Sequence, residues 1–269
     1  MVEYLLLLQD NNSMERVSNM LVAERHEKIV ETVNKQGSVR VSELSQFFNL
    51  TEETIRRDLE KLEREGKLMR THGGAVAVQE GQNDLPYFKR ETVNIAEKEK
   101  IADIALKYVS EGDSLLLDAS STSWFLARKL PNIQLTIITN SVRVVMELSK
   151  KRNIHVICAG GNLSKTSLSS IGPLTIKSLE NYHADKSFIS CKALDKSWGI
   201  SDANDMQAMV KKKMLETADV NFLLVDYSKI GKKATSFVAD FEDIHYLITD
   251  DKADRKYLNE IAEQGVKIL

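Results

Sequence analysis

Small and polar residues gather at several points in the second half of the chain, each directly after an apolar run typical of a buried strand. They occupy residues 118–123, 140–141, 160–161 and 226–231. Hydroxyl and backbone N–H groups at a strand-to-helix turn face the positive end of the helix, so they can hold an anion such as phosphate. Lys211, near the start of a predicted helix, could add a positive charge.

Each of these features also has a purely structural explanation. Ser and Thr often cap helices, glycine pairs make turns, and Lys211-Lys212-Lys213 could be a solvated helix face. A ligand site is therefore indicated only by the presence of four such loops at one edge of one sheet.

The sheet that would carry these loops is predicted by strand-like runs alternating with helical segments. The strands are predicted at 114–117, 135–139, 154–158, 187–191, 221–225 and 244–249, and the helices between them at 124–130, 142–150 and 208–218. Apolar runs separated by helices are typical of a mostly parallel sheet covered on both faces. We therefore expect an α/β domain, opened by a charged helix at 94–109. Arg90 and the charged run 97–100 are interpreted as solvated.

A second set of side chains that could bind a ligand lies near residue 55. Arg56 and Arg57 stand at the start of a helix that Thr51 can cap, and Ile55, Leu59 and Leu62 share one face of it. Arginine can grip guanine or a phosphate. The alternative is a solvated face on which both arginines pair with neighbouring acids (Glu52, Glu53, Asp58 and Glu60).

The segment around this helix predicts a winged helix-turn-helix, an α+β arrangement. Helices are predicted at 24–35 and 43–48, the second capped by Ser42, and a glycine pair suits a hairpin within 67–76. In such a domain the third helix lies in the major groove of DNA.

Composition limits the kinds of protein this chain can be. Its 269 residues are 42% hydrophobic and carry a net charge of −2, from 37 basic and 39 acidic residues. The apolar content excludes a disordered chain, and the charge argues against non-specific coating of nucleic acid. Residues 24–74 hold ten basic and ten acidic residues, so DNA binding would depend on a few placed groups.

The two cysteines, Cys158 and Cys191, lie far apart and form no CxxC motif. They predict neither a disulfide nor a zinc site, and favour a reducing compartment, the cytoplasm. No cofactor is expected. The run Leu5–Leu8 is too short for a membrane span or a signal peptide. Residues 1–20 are therefore either a short helical extension or lie upstream of a translation start at Met14 or Met20.

The N-terminal motifs resemble the DNA-binding signature of the DeoR family of bacterial sugar-metabolism regulators. The resemblance is carried by VSEL at 41–44, TEETIRRDLEKLEREG at 51–66 and RTHGGA at 70–75, in the family's order and spacing. It implies that the DNA-binding residues are Thr51, Thr54, Arg56, Arg57, Arg70 and His72. His72 could equally be a turn residue that satisfies the backbone.

The second half resembles the sensor domain of the same family. The matching stretches are LLLDASST (115–122), TIITNS (136–141), ICAGG (157–161), ADKSFISCKALD (184–195), VKKKM (210–214), VDYSKIGKKA (225–234) and LITDD (247–251). The resemblance implies a fold related to ribose-5-phosphate isomerase that binds a phosphorylated sugar. The implied effector-binding residues are Asp118, Ser120, Ser121, Thr122, Asn140, Gly160, Gly161, Lys211, Asp226 and Lys229.

This chain departs from the family pattern at two places. The first loop has Ala119 or Ser120 where the family often has glycine, and Ser123 where it often has threonine. Asp205 stands where the family often has glutamate. With both halves included, the predicted organisation is an extension (1–20), a DNA-binding domain (21–76), a linker (77–96) and a sensor and oligomerisation domain (97–269).

The sequence therefore predicts a DNA-binding regulator, a repressor of a carbohydrate operon, that assembles as a dimer or tetramer. The rival is a sugar-phosphate isomerase, with Asp118, Asp195, Asp202 or Asp205 as general base. Against it, the acidic and lysine loops of such isomerases are missing, and the comparable stretch at 190–193 reads SCKA. A purely architectural DNA binder would leave the α/β domain without a role.

Overall fold

The computed structural model describes residues 22–64, 67–71, 73–76 and 85–269. The chain forms two compact units, which meet in sequence at Glu80 and Gly81. Residues 1–20, for which an extension is the expectation, lie outside the described part, as does His72.

The first unit contains three helices and a small sheet. The helices are α1 (Val22–Gln36), α2 (Val41–Phe48) and α3 (Glu52–Arg64), and the strands are β1 (Ser38–Arg40), β2 (Met69–Thr71) and β3 (Gly74–Val76). The antiparallel sheet has the order β1-β3-β2, so the predicted hairpin gains a third strand. This is the winged helix-turn-helix arrangement.

Glycine is required at position 74 because two strands approach closely there. Arg40 on β1 faces Gly74 on β3, and a Cβ atom at residue 74 would lie 1.9 Å from the carbonyl oxygen of Val39. No side chain fits at that distance. The second glycine of the wing is thus fixed by packing rather than by DNA.

A buried ion pair orients α3 against α1. Arg25 donates two hydrogen bonds to the Asp58 carboxylate, at 2.7 and 3.2 Å, and the His26 ring lies 3.0 Å from it. Burial alone would raise the pKa of Asp58, but Arg25 and His26 hold it below its ordinary value. Beside this pair, Ile55, Leu59 and Leu62 are buried as their spacing predicts.

The second unit is built on a seven-stranded sheet in which each pair of neighbouring strands is parallel. Its order is β15-β14-β12-β9-β4-β5-β6. The strands are β4 (Ser114–Leu117), β5 (Leu135–Thr139), β6 (Ile154–Cys158), β9 (Ala184–Ile189), β12 (Ala218–Leu224), β14 (Tyr246–Ile248) and β15 (Lys267–Ile268). Successive residues of β4 belong to different apolar cores, so both faces are covered.

The helices of this unit are α4 (Tyr87–Thr92), α5 (Ile95–Leu106), α6 (Ser121–Lys129), α7 (Val142–Leu148), α8 (Pro173–Leu179), α9 (Asp205–Glu216) and α10 (Arg255–Ala262). A hairpin of β7 (Asn162–Ser164) and β8 (Ser169–Ile171) and a small sheet of β10 (Ala193–Asp195), β11 (Gly199–Asp202) and β13 (Ser236–Ala239) complete it. No helix in the described ranges is long and apolar enough to cross a membrane.

Several predicted boundaries were wrong for identifiable reasons. Helix α2 starts at Val41 and not after Ser42, because Glu43 accepts a hydrogen bond from the Arg40 N–H. Helix α6 starts at Ser121 rather than Trp124, because the Ser120 hydroxyl accepts from the Ser123 N–H. Helix α4 lies inside the predicted linker, where Tyr87 is fully buried.

The Asp58 ion pair predicts an acid-sensitive contribution to stability. Asp58→Asn leaves the Arg25 guanidinium without its carboxylate and should lower the free energy of unfolding of the first unit by about 1–3 kcal/mol. Because the folded state favours the carboxylate, the contribution is complete above an ordinary aspartate pKa of about 4 and is lost as pH falls through the lower folded value.

Urea unfolding at pH 7 and at pH 3 tests this, with the exposed Glu27→Gln as the matched control. An equal effect of the two substitutions at pH 7 would contradict the role of Asp58.

Candidate functional site

The N-terminus of α3 presents two threonines to solvent. The Thr51 hydroxyl accepts a hydrogen bond from the Thr54 N–H at 3.3 Å and lies 2.9 Å from the Thr54 hydroxyl. Thr51 is therefore a helix cap. The Thr51 and Thr54 hydroxyls both lie at the N-terminal end of α3, which is the end that contacts bases when such a helix lies in a DNA groove.

Arg56 and Arg57 each make an ion pair one helical turn away. Arg56 lies 2.6 Å from Glu52, and Arg57 lies 3.4 Å from Glu53 with its side chain 77% exposed. Exposed pairs at this spacing contribute only about 0.3–0.5 kcal/mol. These pairs fit the solvated-face alternative, but they are too weak to prevent either arginine from turning to a phosphate or a base.

Arg70 lies on the exposed strand β2, and its N–H donates to the Glu63 carboxylate at 3.0 Å. This bond ties the wing to the end of α3. The role of His72, the remaining residue in the predicted DNA-binding set, stays a prediction.

Asp118 organises the loop at the carboxyl end of β4. Its carboxylate accepts hydrogen bonds from the Ser123 hydroxyl at 2.5 Å and from the N–H groups of Ser120 and Ser190 at 3.2 Å. Lys211 lies 2.9 Å from it. Burial alone would raise the pKa of Asp118, but Lys211 and the hydroxyl donors hold it below its ordinary value.

Lys211 is buried between two carboxylates. Its ammonium lies 2.9 Å from Asp118 and 2.8 Å from Asp202 and donates to the Ser190 carbonyl at 2.5 Å. Burial opposes the charge, but the two carboxylates raise the lysine pKa above its ordinary value. The expectation of a charge free to meet an anion therefore needs revision, because this charge is already compensated inside the protein.

Three buried polar atoms at the same sheet edge have no hydrogen-bond partner in the part of the chain that the structure describes, and one of them is the Thr249 hydroxyl oxygen, after β14. The other two belong to the predicted effector-binding residues: the Thr122 hydroxyl oxygen, at the start of α6, and the Asn140 side-chain oxygen, after β5. The amide nitrogen of Asn140 donates to the Ser170 carbonyl at 2.9 Å. Leaving such a group unpaired costs about 1–3 kcal/mol, so both atoms are suited to a ligand.

The loop after β12 reaches the same cluster through Ser190. The Lys229 ammonium donates to the Ser190 hydroxyl at 2.7 Å. Asp226 is buried and accepts from the Ser228 N–H at 3.1 Å and from the Asn94 amide at 2.9 Å. Burial would raise the pKa of Asp226, but Lys229 and Ser228 lower it overall. Ser190 is thus hydrogen-bonded to Asp118, Lys211 and Lys229.

The glycine pair after β6 does not precede a helix as expected. It leads into the β7–β8 hairpin, and α8 starts only at Pro173. A Cβ atom at Gly161 would lie 2.0 Å from the Thr175 hydroxyl, whereas one at Gly160 would meet no atom within 4 Å. Packing therefore requires glycine at position 161, whereas the space beside Gly160 is open.

Ser190 and Lys98 were not among the predicted site residues, and Asp202 was named only as a possible general base of the rival isomerase. Ser190 directly follows β9, which was predicted to extend to residue 191, and Asp202 is the last residue of β11, a strand that was not predicted. Lys98 was interpreted as solvated but is 3% exposed. Its spacing carried a signal, because Lys98, Ile101, Ala102 and Ala105 lie on one helical face and all are buried.

Comparison with known proteins gives matches over both units. Residues 25–80 match the family described as DeoR-like helix-turn-helix domain, and residues 93–251 match the DeoR C terminal sensor domain. The chain is 51% identical to the uncharacterized HTH-type transcriptional regulator YulB of Bacillus subtilis, over 93% of this chain and 96% of the relative.

Other relatives have names that state a role. The L-fucose operon activator of Haemophilus influenzae is 38% identical, over 84% of this chain and 91% of the relative. The HTH-type transcriptional repressor GlcR of Bacillus subtilis is 31% identical, over 93% and 96%. Among solved structures, ribose 5-phosphate isomerase A of Methanocaldococcus jannaschii aligns with a TM-score of 0.38 at 21% identity, over 51% of this chain and 55% of that chain.

The buried position of Lys211 predicts a structural effect of its removal. Lys211→Met leaves Asp118 and Asp202 as uncompensated buried carboxylates and should lower the free energy of unfolding of the second unit by about 3–5 kcal/mol. Lys212→Met, at the exposed neighbouring position on α9, is the matched control. Thermal unfolding at pH 7 measures both, and equal midpoints would contradict the assignment.

Proposed function

Since this chain belongs to the DeoR family of DNA-binding transcriptional regulators, we propose that it controls a carbohydrate operon in response to a phosphorylated sugar. The observation that carries the effector site is the buried Thr122 hydroxyl at the start of α6, which has no partner within the described ranges. The relative named L-fucose operon activator supports the carbohydrate assignment.

The DNA-binding residues of this proposal are those at the exposed end of α3 and on the wing. Arg56 and Arg57 exchange their weak pairs with Glu52 and Glu53 for DNA, while Thr51 and Thr54 lie at the helix end. Arg70 and His72 approach from the wing. An arginine that binds guanine with two hydrogen bonds contributes about 1–3 kcal/mol of discrimination.

The effector site of this proposal lies at the carboxyl edge of β4, β5, β6, β9 and β12. The phosphate binds at the N-terminus of α6, formed by Ser120, Ser121 and Thr122, because the first N–H groups of a helix have no partner within the helix. Asn140 and Gly160 line the neighbouring strand ends, with Gly161 fixing the backbone beside them. Asp118 and Lys211 hold this N-terminus in shape, and Asp226 positions Lys229.

The regulator acts as a homo-oligomer, a dimer or a tetramer that assembles through its sensor domain. A single helix-turn-helix reads only one half-site, and symmetric oligomers bind repeated half-sites. Oligomerisation matters more here because residues 24–74 carry equal numbers of basic and acidic residues, so a single DNA-binding unit has no net positive charge to attract DNA.

Repression is the proposed mode, with the effector releasing the operator. To release DNA, the sugar phosphate must bind the DNA-free conformation more tightly, and a tenfold loss of DNA affinity needs about 1.4 kcal/mol of coupling. The named relatives include both an activator and a repressor, so a reporter fused to the target promoter in a deletion strain decides the direction.

The geometry around Asp118 favours a regulator over an isomerase. A general base works best when its pKa lies near the operating pH. Here several donors and Lys211 hold the pKa of Asp118 below its ordinary value. Isomerase assays on pentose phosphates test this directly, and turnover abolished by Asp118→Asn would overturn the regulatory proposal.

Two variants, each expected to impair only one of the two sites, test the DNA-binding site and the effector site in one experiment. Fluorescence anisotropy measures operator binding, with and without the phosphorylated sugar that gives the largest thermal shift in a screen of such compounds. Arg57→Ala should weaken operator binding by tenfold or more, because it removes about 1–3 kcal/mol of contact, and should leave the thermal shift unchanged. Thr122→Val should bind operator normally and lose the response to the sugar.

Each variant has a matched control. Arg152→Ala removes an exposed arginine of the second unit, and Thr249→Val removes another buried hydroxyl without a partner, at the end of β14. Unchanged operator affinity in Arg57→Ala would disprove the recognition-helix assignment. A normal sugar response in Thr122→Val would disprove the pocket.

A further inference from the structure

Residues 85–94, here called the cover segment, lie against the strand-end loops of the second unit. The Tyr87 N–H donates to the Thr166 carbonyl at 2.7 Å, and the Ser121 hydroxyl donates to the Arg90 carbonyl at 3.3 Å. The Asn94 amide donates to Asp226 at 2.9 Å. The cover segment therefore contacts loops that the proposed function assigns to the effector.

Lys98, at the base of the cover segment, is a buried cation held by neutral groups. Its ammonium donates to the carbonyl oxygens of Arg90 and Val93, each at 2.5 Å, and the residue is 3% exposed. Buried charges are usually paired with an opposite charge, as Lys211 is with Asp118 and Asp202. Carbonyl dipoles compensate a cation less completely than a carboxylate does.

The charged groups that face Lys98 are two cations and two carboxylates, and burial is the largest influence on its pKa. Burial and the nearby Lys229 lower the pKa of Lys98 to about 8, with a further contribution from Arg90, while Asp226 and Glu97 oppose the shift. The ammonium is thus placed where a dianionic ligand would be favoured.

Lys98 and Ser121 meet at one acceptor, the carbonyl oxygen of Arg90. Ser121 begins α6, and the next residue, Thr122, has the buried hydroxyl without a partner. A cation, the Ser121 hydroxyl and the N-terminus of α6 therefore meet beneath the cover segment, and the Thr122 hydroxyl belongs to the next residue along α6. Groups of these kinds donate hydrogen bonds to phosphate in proteins.

We propose that Lys98 is the main cation for the effector's phosphate group, and that the phosphate binds by replacing the carbonyls of Arg90 and Val93. This inference rests on the proposed function, which supplies the phosphorylated ligand. Once Lys98 and Ser121 turn to the phosphate, the cover segment loses three hydrogen bonds to the rest of the second unit. The cover segment is joined in sequence to the DNA-binding unit by residues 77–84. Its release on effector binding would therefore change how that unit is tethered.

The probe for this inference is inorganic phosphate, titrated into the full-length protein by calorimetry at constant ionic strength. We expect Lys98→Met to weaken phosphate binding by at least tenfold, whereas Lys98→Arg retains binding because it keeps the charge. Lys100→Met is the matched control, since Lys100 is exposed on the same helix and pairs with Asp251 at 2.8 Å. If Lys98→Met does not fold, Lys98→Gln makes the same test.

Hydrogen exchange of the wild-type protein tests the release. Phosphate should accelerate exchange of the amides at 87–94 and should leave them unchanged in Lys98→Met. Unaltered exchange at 87–94 in the phosphate-bound wild type would overturn the release.

The role of Lys98 and the proposed function can be disproved separately. If Thr122→Val loses phosphate while Lys98→Met keeps it, the inference about Lys98 is wrong and the proposed effector site stands. If the wild type binds neither phosphate nor any phosphorylated sugar, the proposed function is wrong and the inference falls with it.

Discussion

A buried lysine, Lys211, holds together three segments that are distant in sequence. It joins α9 to Asp118 after β4, to Asp202 at the end of β11 and to the Ser190 carbonyl after β9. Removing one member leaves an uncompensated buried charge, so the three segments are positioned together. The N-terminus of α6, where the effector's phosphate is proposed to bind, takes its shape from this cluster.

The second unit contains a second buried lysine with the opposite electrostatic situation. Carboxylates raise the pKa of Lys211, whereas burial and neighbouring cations lower that of Lys98. The first is suited to fixing structure and the second to meeting an anion. Two residues of one type thus acquire different roles from their surroundings, which residue identity alone does not reveal.

Sequence patterns predicted the elements better than the contacts between them. Helical spacing identified Ile55, Leu59 and Leu62, and apolar runs identified the parallel strands, because both depend on local periodicity. The pairing of Asp58 with Arg25 spans 33 residues and was not predicted. The cluster around Lys211 likewise depends on how strands at 114–117, 184–189 and 199–202 are arranged in space, which no local pattern encodes.

The central claim, that one chain couples sugar-phosphate binding to operator binding, is tested most directly by linkage. Calorimetric titration of the sugar phosphate into the free protein and into the operator complex measures two dissociation constants, whose ratio equals the effect of the sugar on DNA affinity. For a repressor released by its effector, binding to the free protein should be at least tenfold tighter, about 1.4 kcal/mol. Equal dissociation constants for the two forms would contradict the coupling.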